Sequence, residues 1–121
     1  MFTDPQSVTI NAVAKSMARQ GTDQPSRLGI FSDAAGEFVL TTRQDKTAAR
    51  FRREIRLTQT KVAADPISAV NKQVSASFIM VFDEPRWGFS DTELANLSAG
   101  MISWLTASSN AKQTQLLQGE L

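Results

Sequence analysis

"RFRREIRLTQTKV", residues 50–62, alternates apolar and polar side chains with the period of a β-strand. One side of such a strand is apolar and carries Phe51, Ile55 and Leu57. The other side is polar and basic, and its residues are Arg52, Glu54, Arg56 and Thr58. Parity places Arg53 on the apolar side, where we expect its guanidinium to reach solvent or a carboxylate near the strand end. The stretch therefore predicts a strand between an apolar core and a basic surface.

The segments around this strand predict two antiparallel neighbours. "FVLTTRQ" (38–44) and residues 50–62 are predicted to form a β-hairpin through the polar connection "DKTA" (45–48). "KQVSASFIMVF" (72–82) shows the clearest alternation in the chain. The preceding segment, "AADPISAVN" (63–71), is predicted to be a loop because its proline cannot take part in regular strand pairing.

The N-terminal part of the chain predicts shorter strands. "SVTINAV" (7–13) and "KSMAR" together indicate an N-terminal hairpin, and "RLGIF" (27–31) indicates one further strand. Turn-forming residues fill "GTDQPS" (21–26) and "SDAAGE" (32–37). These turns are expected to separate the strands.

The hydrophobic period changes from strand to helix near residue 90. "SDTE" (90–93) is a capping box, in which a serine accepts from the free amides of the first turn. Apolar residues then follow at helical spacing: Leu94, Leu97, Met101, Trp104 and Leu105. "SSN" (108–110) interrupts this helix, and "AKQTQLLQ" (111–118) predicts a second, short one. Strands followed by helices indicate an α+β fold with an antiparallel sheet.

Length and order suggest a single domain over residues 1–121. Within it we expect an N-terminal hairpin region at 1–26, an antiparallel sheet at 27–82 and two helices at 90–118. The helices could cover the apolar side of their own sheet. Alternatively, they could cross the sheet of a partner, in which case the dimer would be the folding unit.

The composition offers little for catalysis. The chain has no cysteine, histidine or tyrosine, which removes thiolate and imidazole chemistry. The adjacent carboxylates of Asp83 and Glu84 should point apart at a solvated strand end. We therefore expect no enzyme activity, catalytic residue, metal site or cofactor. The N-terminus "MFTDPQSVT" does not resemble a signal peptide, and no apolar run is long enough to span a membrane.

The charges are unevenly distributed along the chain. Residues 43–61 contain seven basic and two acidic residues, whereas the remainder contains six basic and ten acidic residues. This excess predicts a surface that faces a polyanion such as RNA, although a merely solvated basic strand face is the alternative. Thr41 and Arg43, with Ser75 and Ser77, would extend the basic surface over three strands. A dimeric module that binds RNA or single-stranded DNA would share this pattern.

The order of these segments resembles the coat proteins of single-stranded RNA bacteriophages of the levivirus type. The resemblance rests on "FVLTTRQ…RREIRLTQ", the proline-containing loop, "NKQVSASFIMVF" and "SDTELANLSAGMISWL". It implies an N-terminal hairpin, a five-stranded antiparallel sheet and two C-terminal helices in an intertwined dimer. It further implies an icosahedral shell around genomic RNA, assembled in the bacterial cytoplasm, and an RNA hairpin bound for translational repression.

The resemblance also implies sites. The RNA-binding residues would be Val39, Thr41, Arg43, Arg52, Glu54, Arg56, Thr58, Gln73, Ser75 and Ser77. The dimer interface would include Leu97, Met101, Trp104 and Leu105. Loop 63–71 corresponds to the loop that surrounds the symmetry axes of such shells, and without cysteine its contacts would be non-covalent. No aromatic residue stands in the row of Gln73, where the family often has one that stacks on a base.

Overall fold

The alternating segments form the strands of one sheet in the part of the chain that the structure describes. The computed structural model describes residues 2–23 and 28–120. Its strands are β1 (Gln6–Ile10), β2 (Val13–Asp23), β3 (Leu28–Ser32), β4 (Phe38–Lys46), β5 (Arg50–Ala64) and β6 (Asn71–Pro85). They lie side by side in chain order, with antiparallel pairing from β1 to β5 and with β6 next to β5. The helical span α1 (Asp91–Leu117) follows, so the predicted α+β class is confirmed.

The strand count differs from the prediction. A hairpin plus a separate five-stranded sheet was expected, but the described residues form six strands in a single sheet. The predicted strand 7–13 is interrupted because Asn11 and Ala12 turn the chain with φ values of 51° and 64°. The predicted turn at 21–26 begins too early, since β2 continues through Asp23; residues 24–27 lie outside the described residues. One long strand, β2, therefore pairs with both β1 and β3.

The central hairpin matches the prediction closely. β4 and β5 pair in a continuous antiparallel register from Phe38 opposite Gln59 to Lys46 opposite Phe51. The connection lies slightly later than residues 45–48, because Thr47 begins the turn. Its amide donates to the carbonyl of Arg50 at 2.8 Å, and its hydroxyl oxygen accepts from the Arg50 amide at 3.1 Å. This hairpin positions the basic row that the sequence predicted.

The strand β6 runs three residues beyond its predicted end at residue 82. Ion pairs to β5 accompany the extension: Arg50 Nε lies 2.8 Å from Asp83 Oδ1, and Arg53 Nη2 lies 2.9 Å from Glu84 Oε1. The two adjacent carboxylates thus serve different arginines, as expected for side chains that point apart. The prediction of a solvated strand end is wrong for Glu84, which is only 5% exposed. The expectation that Arg53 would reach a carboxylate is confirmed.

A small apolar core lies on one side of the sheet. Its buried side chains are Met17, Phe31 and Phe38. Partly buried side chains pack around them: Val8, Ile10, Leu40 and Leu57. Two cations lie over core rings, with Lys15 Nζ 5.1 Å from the centroid of Phe38 and Arg19 Cζ 4.9 Å from that of Phe31. The apolar side predicted for β4 and β5 is therefore the core side.

The chain divides into two compact units, one ending at Glu84 and one beginning at Pro85. In the second unit, the predicted capping box is confirmed in part, because the Ser90 hydroxyl accepts from the Glu93 amide at 3.2 Å. Two helices were predicted, and the structure has one helical span, Asp91–Leu117, that non-helical backbone at 107–110 divides into two helical segments. The predicted interruption is a kink within it, where Ser108, Ser109 and Asn110 adopt positive φ. Polar side chains such as asparagine tolerate this conformation better than β-branched ones.

The loop between β5 and β6 is organised by one carboxylate. Asp65 Oδ1 accepts from the amides of Ile67 at 2.8 Å and Ser68 at 3.4 Å, and Asp65 Oδ2 lies 3.3 Å from Lys72 Nζ. The Ile67 amide and, after it, Lys72 hold the pKa of Asp65 below its ordinary value. All of these contacts favour the ionised carboxylate. The loop is therefore stabilised by the charge of Asp65.

We expect the stability of the protein to depend on this charge at acid pH. Because the pKa is lowered in the folded state, the stabilisation is complete above the ordinary pKa of aspartate. It is lost as pH falls through the lower pKa of the folded state. Asp65→Asn keeps an acceptor oxygen but loses the charge. Above the ordinary pKa of aspartate, the variant should therefore have a lower free energy of unfolding than the unchanged protein, and this deficit should disappear at the acid end. Urea unfolding at a series of pH values measures this. A deficit unchanged down to the lowest pH would contradict it.

Candidate nucleic-acid interface

The register of β4 and β5 brings the predicted site residues of these strands onto one face. Val39 lies opposite Thr58, Thr41 opposite Arg56, and Arg43 opposite Glu54. Residues directly opposite each other in an antiparallel pair project from the same face of the sheet. This face is opposite to the core side, because Leu40 and Leu57 form the intervening pair.

The strand β6 contributes its polar row to the same face. The hydroxyl oxygens of Thr58 and Ser77 are 2.9 Å apart, so the two side chains share a hydrogen bond across β5 and β6. Alternation along β6 then places Gln73 and Ser75 on the side of Ser77. Gln73, Ser75 and Ser77 are all exposed. The ten predicted residues therefore lie on one face of three adjacent strands, which we call the polar face.

The structure adds ion pairs to this face that were not predicted from the sequence. Arg43 Nε lies 3.0 Å from Asp45 Oδ2, and Arg56 Nη2 lies 3.2 Å from Glu54 Oε1. Both pairs join residues two apart on one strand, a spacing that places them on the same side. That spacing is visible in the sequence and could have revealed Asp45 as a member of the face.

Arg52 differs from the other arginines of the polar face. Its side chain is exposed, and no ion pair is formed by it within residues 2–23 and 28–120. In the register it lies opposite Asp45, whose carboxylate instead contacts Arg43. Arg52 is thus an uncompensated cation on this face.

The basic excess of residues 43–61 does not all lie on the polar face. Arg53 points to the other side and pairs with Glu84, and Lys46 lies opposite Phe51 on that side too. By alternation, Arg50 and its partner Asp83 belong to the polar face. This face therefore carries four arginines and three carboxylates: Arg43, Arg50, Arg52 and Arg56, with Asp45, Glu54 and Asp83. The simple charge count overestimated its positive charge.

The polar face ends where β3 begins. Leu28 lies opposite Arg43, and Ile30 lies opposite Thr41, so the polar row gives way to aliphatic side chains. Among β3 to β6, the aromatic residues fall by alternation on the core side: Phe31, Phe38, Phe51, Phe78 and Phe82. The polar face thus presents arginines, carboxylates, hydroxyls and amides, and no aromatic side chain of β3 to β6 lies on it.

The predicted interface residues of α1 form an apolar row on the unit that begins at Pro85. Leu97, Met101 and Trp104 are 68%, 56% and 52% exposed, and Leu105 is half-buried. The sequence did not single out Ile102, which is 44% exposed. Lys112 lies over the ring of Trp104, with its Nζ 5.6 Å from the centroid. Apolar surface of this extent marks a candidate interface.

The first unit also exposes apolar surface on its core side. Along β6, Val74 is 44% and Phe78 is 62% exposed. A shallow apolar depression beside them is lined mainly by Ile10, Phe38, Leu57, Ala76 and Phe78. The small buried core and these exposed side chains indicate that the isolated chain leaves much apolar area in contact with water.

Neither a metal centre nor a membrane span is evident in the described chain. No group of three or more acidic side chains is close enough to hold a metal ion among the residues described. No described helix is both long and apolar enough to cross a membrane.

Comparison with known proteins identifies the fold. No family model matches the sequence, and no curated protein sequence shows significant similarity to it. The virus-like particle of bacteriophage AVE019 matches with a TM-score of 0.78 at 18% identity, over 100% of this chain and 98% of that chain. The virus-like particle of Beihai levi-like virus 21 has a TM-score of 0.69 at 10% identity, over 98% and 94% of the two chains. The bacteriophage GA protein capsid has a TM-score of 0.58 at 11% identity, over 91% and 94%.

These similarities extend over nearly the whole length of each chain. The chain therefore has the fold of levivirus-type capsid proteins, and the resemblance predicted from the sequence is confirmed at the level of fold. The six strands and the kinked helical span described above are this chain's version of that fold.

Proposed function

We propose that this protein is the coat protein of a single-stranded RNA bacteriophage. Its subunits would form dimers, and the dimers would assemble into an icosahedral shell around the genome. The polar face carries the proposal, because arginines and short hydroxyls extend over three adjacent strands of a sheet with a capsid-protein fold. Such groups suit phosphate, ribose and base edges. The virion would be its location, after assembly in the bacterial cytoplasm.

We infer that a second copy of the chain covers the exposed apolar surface. Phe78 on β6 is more than half exposed in the isolated chain, and so are Leu97, Met101 and Trp104 on α1. The proposed dimer would bury both sets, with the helix of each subunit against the core side of the partner's sheet. Burial of apolar area contributes about 25 cal/mol per Å², so covering these side chains would favour the dimer over the separate subunits.

The polar face would then line the inside of the shell and contact the packaged RNA. We further propose that the same face binds an RNA hairpin and so represses translation. Because this face has no aromatic side chain on β3 to β6, hairpin recognition would depend on hydrogen bonds rather than on stacking of a base.

The oligomeric state tests the proposal against its main alternative. For the protein expressed alone, size-exclusion chromatography with light scattering should show both large particles and dimers. A non-viral dimeric RNA- or DNA-binding module would give dimers without particles. A stable monomer would contradict both functions.

Arg52 is expected to contribute more to RNA binding than the paired arginines. A hydrogen bond to a charged group contributes about 1.5–3 kcal/mol, so Arg52→Ala should weaken binding roughly tenfold or more. Arg56→Ala should have a smaller effect, because Glu54 already neutralises that guanidinium. Fluorescence anisotropy with labelled single-stranded RNA measures both.

Lys61→Ala is the matched control for this measurement. It removes one positive charge from the same strand, but parity places Lys61 on the core side. Its binding should remain close to that of the unchanged protein. Equal losses in the Arg52 and Lys61 variants would show that only net charge matters, and would remove Arg52 from the interface.

A further inference from the structure

We propose that Asp45 and Glu54 limit the affinity of the polar face for phosphate groups. This inference rests on the proposed function and concerns which residues of the same face set its affinity for RNA. Each carboxylate neutralises one arginine, which leaves Arg52 as the uncompensated arginine of the polar face. RNA contacts would then depend largely on the hydroxyls and amides of the face, and only weakly on its net charge.

The arrangement of charges on β4 and β5 supports this role. Arg43 is followed on β4 by Asp45, and directly across on β5 lie Glu54 and Arg52 in turn. Each carboxylate therefore has a guanidinium beside it on its own strand and another across the strand pair. Opposite charges that alternate in both directions keep the potential above the surface low.

The two ion pairs differ in how firmly they are held. Glu54 is 17% exposed in its side chain, whereas Asp45 is 44% exposed. The more buried carboxylate is less screened by water and ions, so the Arg56–Glu54 pair should persist when RNA binds. The Arg43–Asp45 pair is more accessible and could exchange its carboxylate for a phosphate. Even then, the carboxylate would stay on the face and repel the RNA backbone.

A purely structural role for these carboxylates predicts a different result. If they only stabilised the hairpin, replacing them would change the unfolding transition and leave RNA affinity unaltered or weaker. If they limit binding, Asp45→Asn and Glu54→Gln should increase affinity, although each removes an ion pair. The direction of the affinity change separates the two roles.

The test is the salt dependence of binding to a labelled single-stranded oligouridine, which forms no hairpin. For single strands, the logarithm of the binding constant falls with the logarithm of salt concentration by about 0.7 per phosphate neutralised. Asp45→Asn and Glu54→Gln should each tighten binding and steepen this slope by about 0.7 per subunit in contact with the strand. Glu37→Gln, in the exposed turn before β4, is the control and should change neither quantity.

The outcomes distinguish this inference from the proposed function. Unchanged affinity in both carboxylate variants would overturn the inference, while loss of binding in Arg52→Ala would still support RNA binding by this face. Tighter binding without a steeper slope would also overturn it. The number of phosphates neutralised would then be unchanged, which means that the ion pairs already break when RNA binds the unchanged protein. An equal gain in Glu37→Gln would mean that net charge alone acts. If neither the unchanged protein nor any variant binds the RNA, the proposed RNA-binding function itself fails.

Discussion

Replacing Phe31 by alanine will lower the free energy of unfolding by about 3–5 kcal/mol, the range for a buried Phe→Ala change. Phe31 is 1% exposed and is one of three apolar side chains that are buried in the described part of the chain. It contacts a core that also includes Met17 and Phe38, and Arg19 lies over its ring. Removing the ring leaves a cavity in the centre of this cluster and deprives the guanidinium of its partner.

A loss of this size is a large fraction of the 5–15 kcal/mol that stabilises a typical domain. Urea unfolding followed by circular dichroism measures it, with all variants at one protein concentration because dimer formation would contribute to stability. Phe2→Ala is the matched control, since the same group is removed from a side chain that is 49% exposed. Similar losses in both variants would show that the three-residue cluster is not the core of the sheet.

Replacing Met101 by glutamate will abolish dimers and particles while leaving the isolated helix intact. Met101 is 56% exposed in the single chain, and glutamate is a good helix former, so the subunit itself should tolerate the change. In the proposed dimer this position is buried against the partner. An uncompensated charge there costs about 3–5 kcal/mol, enough to dissociate the subunits at ordinary concentrations.

The control for this variant is Ala99→Glu. Ala99 is exposed and lies two residues from Met101, which places it on the other side of the helix. It should leave the oligomeric state unchanged in light scattering. Particles of normal size from the Met101→Glu protein would contradict the proposed interface.

Periodicity in the sequence was sufficient to predict most strands and the side of the sheet that each residue occupies. The alternation around Arg52 and Arg56 predicted the polar face, and the cross-strand register agrees with it residue by residue. The prediction succeeded because successive side chains of any strand point to opposite faces, so the alternation of residue types indicates the face of each one. The function of those residues stays a prediction, since position alone does not measure binding.

The errors arose where contacts between distant residues decide the structure. The turn at Asn11 and Ala12 lies within a regular alternating pattern, so local periodicity concealed it. β6 continues to Pro85, and its last residues pair with arginines of β5 that are distant along the chain. Asp83, for example, lies 33 positions from its partner Arg50. A segment-wise charge count likewise could not show which arginines are neutralised, because that depends on the face on which each side chain lies.

Electron microscopy of the protein expressed alone in bacteria, with sequencing of nuclease-protected RNA, tests the coat-protein proposal most directly. The proposal predicts closed, isometric shells that contain RNA protected from nuclease. The Arg52→Ala protein should form shells that protect less RNA. Dispersed dimers without shells, or shells that never contain RNA, would contradict it.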